Sequence, residues 1–221
     1  MVRLVIDASD PDAGAIERAA SAIRSGGLVV APTDTLYALA ADPFSEAAIE
    51  RLFHVKGRAH ELALPLMAAD LAQVVSTIGT MPETAAWLAS RFWPGPLTLL
   101  LPAPAGLAAG VTGGTGRVAI RVPAHRVARA LCAACGHPVT ATSANVSGAP
   151  ASHDAALAAR SLEGALEVTL DAGLTPGGPP STIVDVSGSR VTLVRAGAVV
   201  WEEIQTWLRG QSDASGRRWS G

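Results

Sequence analysis

Residues 26–37, Gly-Gly-Leu-Val-Val-Ala-Pro-Thr-Asp-Thr-Leu-Tyr, place a helix end, a buried strand and a polar turn in immediate succession. The apolar run 28–31 is short and unbroken, as in a strand covered on both faces, and Pro32 ends it. Before this run, Asp10 and the proline that follows it predict the start of a helix, which the double glycine ends. This order of elements predicts helices packed against a sheet.

The rest of the chain continues this pattern and then changes it. Up to about residue 142, predicted helices alternate with predicted strands. The last three apolar segments, residues 166–170, 182–186 and 191–195, instead follow one another as strands, and a hairpin-length loop containing glycine separates the last two. Helices that alternate with strands, followed by strands that directly succeed one another, predict the α/β class with a mixed sheet and flanking helices.

Length and composition indicate one domain. A chain of 221 residues can bury roughly 70 per cent of its unfolded surface in a single core. We predict that this domain covers residues 1–209. Residues 210–221 are mostly glycine, serine and charged residues without apolar periodicity, so we predict a disordered tail there.

The formal net charge of −2 limits the partners of the chain. Proteins that hold nucleic acid usually carry a basic excess or patch, so direct binding of nucleic acid is not expected. The most apolar run, residues 97–111, is interrupted by Pro102 and Pro104 and is shorter than the roughly 20 residues of a spanning helix. Residues 1–7 do not resemble a secretory signal, so we expect a cytoplasmic protein without a membrane association.

The cysteines and histidines do not predict a metal site. Cys132 and Cys135 have a CxxC spacing, but two thiolates supply at most half of a zinc site and no histidine cluster accompanies them. They lie at the end of a predicted helix, so we interpret them as small residues that face the core. We therefore expect no metal ligand from protein side chains.

Two polar motifs far apart in the chain suggest a phosphate site. Lys56-Gly-Arg58 closes a predicted helix, and Ser143-Ala-Asn145 follows a predicted strand. Cations and directed donors of this kind replace the lost water of a bound polyphosphate. Taken singly, however, the cations could complement a helix dipole, and the serine and asparagine could be ordinary turn residues.

The combination of motifs is more specific than either pair. Between Gly26 and Gly197, the order and residue types of six separated motifs resemble the YrdC-like family of threonylcarbamoyl-AMP synthases, in its single-domain form. The motifs are Pro32-Thr-Asp-Thr-Leu-Tyr37, Lys56-Gly-Arg58, Trp93-Pro-Gly-Pro96, Val118-Ala-Ile-Arg-Val-Pro123, Ser143-Ala-Asn145 and Pro180-Ser-Thr-Ile-Val-Asp185.

The resemblance implies a fold, a reaction and partners. The fold would be a twisted mixed β-sheet with flanking helices that form a ligand cleft. The reaction would condense L-threonine, bicarbonate and ATP, with Mg²⁺ carried by the ATP, into threonylcarbamoyl-AMP and pyrophosphate. The product would serve the threonylcarbamoyl modification of tRNA adenosine beside the anticodon, through a downstream transferase complex.

The resemblance also implies roles for nine residues of this sequence. Lys56 and Arg58 would be catalytic, the first as a compact ammonium between carbamate and α-phosphate. The residues implied to bind ATP are Lys56, Arg58, Ser143, Asn145 and Arg195. Those implied to bind threonine are Thr35, Arg121, Ala141 through its backbone, and Ser181. Arg121 suits this role because a guanidinium can pair bidentately with a carboxylate.

Some positions depart from the pattern of the family. Ala38 and Ala40 replace two glycines after the tyrosine of the first motif, and Ala59, Leu62 and Ala63 replace polar residues or prolines after Arg58. A polar nucleotide contact at Leu62 is therefore not expected.

Two other functions remain open from the sequence. One is an RNA-binding or ribosome-maturation module, and the other is a relative that forms a carbamoyl adenylate for a different acceptor.

Overall fold

The structure, a computed structural model, describes residues 1–58, 63–162, 164–188 and 190–215. Its strands are mostly short, and several contain only two or three residues. They are β1 (Val2–Val5), β2 (Val29–Ala31), β3 (Ala38–Ala40), β4 (Leu66–Met67), β5 (Leu97–Pro102), β6 (Arg117–Arg121), β7 (Val139–Thr140), β8 (Thr142–Ser143), β9 (Val168–Asp171), β10 (Thr182–Asp185) and β11 (Thr192–Arg195).

Helices separate most of these strands, as the alternation of the sequence predicts. They are α1 (Ala13–Arg24), α2 (Glu46–Lys56), α3 (Leu71–Ile78), α4 (Glu83–Phe92), α5 (Ala109–Thr112), α6 (Arg126–Cys135), α7 (Ala155–Ser161) and α8 (Trp201–Ser215). None of the helices in the described ranges is both long and apolar enough to cross a membrane.

The strands form two mixed sheets. The first has the order β1-β9-β2-β3-β8, with β1, β9 and β2 parallel and β3 antiparallel to both of its neighbours. The second has the order β11-β10-β5-β6-β4-β7, in which β10 is parallel to β5 and antiparallel to β11. The predicted mixed α/β class with flanking helices is confirmed, and the hairpin of β10 and β11 is present.

The chain crosses between the two sheets at Ala141. The strand predicted over residues 138–142 is split, because Val139 and Thr140 pair with β4 of the second sheet whereas Thr142 pairs with Leu39 of the first. This crossing brings the two sheets together beside Ser143.

Two apolar clusters hold the helices against the sheets. The larger one contains the buried faces of α2 and α4 and the apolar side chains of β5. The smaller one lies between α1, α6 and the first sheet, and includes Ile23, Leu131 and Leu170. Cys132 and Cys135 are buried free thiols in this cluster, and burial raises the pKa of both, that of Cys135 to about 12. The prediction that they face the core is confirmed.

The start of the first helix and the end of the last helix differ from those that the sequence predicts. Helix α1 begins at Ala13, because Asp12 accepts a hydrogen bond from Ala15 N, while the amide of Asp10 donates to Asp7 Oδ1 in the preceding turn. Helix α8 continues through Gly210 to Ser215, so residues 210–215 are helical. The buried Ile204 and Leu208 anchor its first turns, and extending an existing helix costs far less than starting one. Residues 216–221 of the predicted tail lie outside the described residues.

Candidate functional site

A cavity of about 580 Å³ opens between the two sheets. Strands β3 and β8 of the first sheet and β5, β6 and β10 of the second contribute to its walls. Its polar lining consists mainly of hydroxyl and guanidinium groups. The residues concerned are Thr33, Thr35, Thr98, Thr115, Thr142, Ser143, Ser181, Arg58, Arg117, Arg121 and Arg195.

The alternation of side chains along the strands explains which residues face the cavity. Successive residues of a strand point to opposite faces, so every second residue belongs to one wall. Along β6 the residues that line the cavity are Arg117, Ala119 and Arg121, whereas Val118 and Ile120 are buried in the core. The same spacing holds for Thr98 and Leu100 on β5.

Arg121 forms the centre of one end of the cavity. Its Nη1 donates to Asp34 Oδ1 at 2.6 Å, and its Nη2 lies 3.4 Å from Thr35 Oγ1. The Arg121 and Asp34 side chains are only 8% and 11% exposed, so this ion pair is largely shielded from water. Thr33 Oγ1, in turn, lies 3.1 Å from Thr35 Oγ1. The turn after β2 therefore supplies both a hydroxyl and a carboxylate to Arg121.

Ser181 and Arg195 lie on the same wall of the second sheet. Arg195 donates through Nη2 to the carbonyl oxygen of Ser181 at 2.7 Å and to its Oγ at 3.2 Å. Ser181 Oγ also lies 2.8 Å from Thr98 Oγ1. Partial burial and the nearby Arg121 both lower the pKa of Arg195, so this part of the cavity carries positive charge that an anion would neutralise.

The two motifs that suggested a phosphate site meet behind one wall. Helix α2, which Ser45 caps and Gly57 ends in a left-handed conformation, carries Lys56 in its last turn. Lys56 Nζ donates to the carbonyl oxygens of Ser143 at 2.5 Å and Asn145 at 2.7 Å. Burial, and then the charge of Arg58, lower the pKa of Lys56 to about 8.

Asn145 is turned toward its own loop. Its Nδ2 donates to the carbonyl oxygens of Val146 at 3.1 Å and Ala149 at 2.6 Å, and its Oδ1 lies 3.5 Å from Lys56 Nζ. Neither Lys56 nor Asn145 belongs to the cavity lining. Together these two side chains hold the loop that follows β8.

Arg58, Ala141 and Ser143 do line the cavity. Arg58 Nη2 donates to the carbonyl oxygen of Ala63 at 3.0 Å, and burial lowers its pKa. The amide of Ala141 donates to the carbonyl oxygen of Pro65 at 2.7 Å, which fixes the backbone at the crossing between the sheets.

The structure thus brings seven of the nine predicted site residues to one cavity and places the other two directly behind its wall. The seven are Thr35, Arg58, Arg121, Ala141, Ser143, Ser181 and Arg195. Ala38 also lines the cavity, so the methyl group that departs from the family pattern lies at the site. Leu62, the departure at which a polar nucleotide contact is not expected, lies outside the described residues.

The sequence analysis missed Arg117 and Thr115. Both line the cavity, and the Arg117 guanidinium pairs with the Asp185 carboxylate. The available signal was the two-residue spacing of β6, which places Arg117 on the same face as Arg121. Four residues of strand separate them by roughly 13 Å, so cations lie at both ends of this wall.

The charged side chains among the described residues that line the cavity are all arginines. Four arginines line it, whereas none of its described lining residues is an aspartate or glutamate. Asp34 and Asp185 each pair with one of these arginines from outside the lining. Among the described residues, no group of three or more His, Cys, Asp or Glu side chains could hold a metal ion.

The fold and the cleft therefore define an α/β protein with an arginine-lined cavity between two mixed sheets. Comparison with protein families gives a more specific result. Residues 21–197 match the model of the Sua5/YciO/YrdC family, which is described as "Telomere recombination". The chain belongs to this family.

Individual relatives agree with this assignment. The chain is 40% identical over 190 residues to a threonylcarbamoyl-AMP synthase of Pyrococcus abyssi, covering 86% of this chain but 56% of the relative. It is 38% identical over 203 residues to a putative threonylcarbamoyl-AMP synthase of Mycobacterium leprae, covering 90% of this chain and 92% of the relative.

A solved structure has the same fold. The crystal structure of P. abyssi Sua5 complexed with L-threonine superposes with a TM-score of 0.88 at 37% identity, covering 94% of this chain and 61% of that chain. The chain thus spans little more than half the length of the Pyrococcus relative.

Proposed function

We propose that this protein is an L-threonylcarbamoyladenylate synthase, which condenses L-threonine, bicarbonate and ATP and releases pyrophosphate. The observation that carries the proposal is the cavity itself, where four arginines line a space between the two sheets and none of the described lining residues carries a carboxylate. All the reactants are anionic or carry a carboxylate, and their reaction brings these negative charges close together. Fixed cations in a shielded site stabilise such an arrangement.

Threonine would bind at the Arg121 end of the cavity. The guanidinium would hold its carboxylate, and the hydroxyls of Thr35 and Ser181 and the backbone at Ala141 would surround it. The free amino group would attack the carbon of bicarbonate, forming a C–N bond with loss of water. The product of this step is a carbamate, whose oxygen is the next nucleophile.

ATP would extend along the rest of the cavity, with its phosphates among Arg58, Arg117 and Arg195. The carbamate oxygen would attack the α-phosphorus, and the bond between this phosphorus and the oxygen that bridges to the β-phosphate would break, so that pyrophosphate leaves. Positioned cations support this displacement mainly through charge stabilisation and alignment. Ser143 and Thr115 would add hydroxyl donors.

Lys56 and Asn145 would act on the nucleotide mainly through the wall that they hold. The Lys56 ammonium fixes the carbonyl oxygens of Ser143 and Asn145, so it sets the position of the loop that presents Ser143 to the cavity. A direct contact of Lys56 with carbamate and α-phosphate, as the resemblance implies, would use the third N–H of the ammonium, because the other two donate to these carbonyls.

Mg²⁺ would arrive with ATP and supply charge neutralisation at the phosphates. Because the described lining offers hydroxyls rather than carboxylates, phosphate oxygens and water would be its ligands. The product would pass to a downstream transferase complex that modifies tRNA, in the cytoplasm, without direct tRNA binding by this chain.

The test is pyrophosphate release from ATP and Mg²⁺, with threonine and bicarbonate added singly and together. We expect release only when both are present, and a loss of roughly 100-fold or more in kcat/KM for Arg121→Ala, because a charge-assisted bidentate contact is removed. Arg91→Ala is the matched control, since Arg91 pairs with Glu203 on the surface and does not line this cavity.

Other outcomes would identify the alternatives. Release that is indifferent to threonine would indicate a carbamoyl-adenylate-forming relative with another acceptor. Absence of release, combined with salt-sensitive RNA binding that survives Lys56→Ala, would indicate an RNA-binding module.

A further inference from the structure

Asp34 is an ion-pair partner that uses only half of its carboxylate. Its Oδ1 accepts the 2.6 Å bond from Arg121 Nη1, but its buried Oδ2 has no hydrogen-bond partner among the described residues. A buried oxygen without a partner is unfavourable, and native proteins contain few of them. Asp34 does not line the cavity, so it acts from behind Arg121.

Helix α6 carries two further buried side-chain atoms that have no partner among the described residues. His125 is the N-cap residue of α6, and its buried Nδ1 has no partner in the described part of the chain. Burial lowers the pKa of His125, whereas the negative charge of Asp34 raises it, which shows that the two side chains are close enough to interact. Arg129 lies one helical turn further on the same face, and its buried Nε is also without a partner.

The three unpartnered buried side-chain atoms within the described ranges belong to Asp34, His125 and Arg129. One of them is an acceptor and the other two are nitrogens that can donate. They are complementary in type, and those of Asp34 and His125 lie in the region behind Arg121.

We propose that Asp34 is a positioning residue for Arg121, with His125 of α6 close beside it, and that this group determines the affinity for the amino acid rather than for the nucleotide. The proposal rests on the proposed function for its substrate. Because Asp34 engages Nη1 alone, it fixes the guanidinium plane and leaves further N–H groups of Arg121 for the substrate carboxylate. Oδ2 remains available to a donor from α6 when this carboxylate arrives and the charges of the site rearrange.

Asp34→Asn tests the charge of this contact at nearly constant shape. We expect the KM for threonine to rise about tenfold or more, as for loss of a charge-assisted bond, while the KM for ATP changes less than about twofold. His125→Gln should shift the KM for threonine in the same direction by a smaller factor. Asp171→Asn is the matched control, because Asp171 is a buried carboxylate that pairs with Arg3 at another cavity.

A double-mutant cycle separates positioning from a general structural effect. In an Arg121→Lys background, Asp34→Asn should cause no further rise in the KM for threonine, because the residue that it positions is already gone. Equal increases in the KM of threonine and of ATP, or additive effects in this background, would overturn the proposal.

A ligand-free measurement keeps the proposal separate from the function. The ¹⁵N NMR signal of the Arg121 guanidinium, assigned through Arg121→Lys, should shift in Asp34→Asn and His125→Gln and stay in place in Asp171→Asn. Without this shift the proposal fails. A shift in a protein that makes no threonine-dependent pyrophosphate would support the positioning of Arg121 and would reject the synthase.

Discussion

At the scale of single residues, the polar side chains of the cleft divide into those that face the cavity and those that hold its wall. Arg58 and Ser143 face it, whereas Lys56 and Asn145 donate hydrogen bonds to backbone carbonyl oxygens. The resemblance to the family implied that these four residues meet. It did not predict which side chains turn inward, since this depends on the path of the loop after β8.

Tyr37 is the only tyrosine of the chain, and its environment makes a testable pH prediction. Its ring is fully buried, and its hydroxyl donates to the carbonyl oxygen of Gly173 at 2.7 Å and accepts from Ala172 N. Burial raises the pKa of Tyr37 from 10.0 to about 12. The protonated Tyr37 therefore contributes to the free energy of unfolding below pH 10.0, and this contribution should be lost as the pH rises toward 12.

The measurement is the near-ultraviolet absorbance of tyrosinate. In the native protein the absorbance should increase about two pH units later than in denaturant. Tyr37→Phe should abolish the signal, which makes it the control. A native titration close to the ordinary tyrosine pKa would show that the hydroxyl is in contact with water.

At the scale of elements, the sequence predicted those whose pattern is complete within a few residues. The strands β2, β5, β6 and β10 follow from apolar runs with clear ends. The strand β3, Ala38–Ala40, is too short for a pattern, and its pairing with β2 and β8 decides it. The break between β7 and β8 has a tertiary cause, since the chain leaves one sheet for the other. Helix α3 had a signal that was overlooked, the N-cap Asp70, which accepts from Gln73 N.

Gly197 makes a prediction about the connection between β11 and the cavity. A methyl group there would overlap the carbonyl oxygen of Pro180 and lie 2.6 Å from the amide nitrogen of Thr182. Gly197→Ala should therefore displace the segment that carries Ser181 and lower the free energy of unfolding by about 1–3 kcal/mol. Threonine affinity should fall as well, because Ser181 lines the cavity.

Denaturant unfolding and threonine titration check this prediction. Gly188→Ala, in the hairpin between β10 and β11, is the control, because a methyl group there meets nothing within 4 Å. Equal stability of the two variants would mean that the backbone at residues 180–182 can move away from the methyl group without a loss in the free energy of unfolding.

At the scale of the whole molecule, charge is distributed so that a weakly acidic chain contains a basic cavity. The net charge of −2 counts against a broad basic surface, but it gave no indication of the four arginines that converge between the sheets. They come from the loop after α2, both ends of β6, and β11. Only the pairing of these strands brings them together, which is why the sequence supplied some of the cations and not their arrangement.

This distribution predicts a local dependence on salt. The affinity for ATP without metal should fall several-fold between about 50 and 200 mM salt, because the Debye length shrinks while the ligand charge stays fixed. Arg58→Gln and Arg195→Gln should each weaken binding and flatten this dependence. Arg51→Gln should change neither, since Arg51 pairs with Glu167 and does not line this cavity. A mixed-sequence RNA duplex should bind weakly at both salt concentrations. Tight, salt-sensitive RNA binding, or an ATP affinity that does not change with salt, would contradict the prediction that the arginines of the cavity attract anionic ligands.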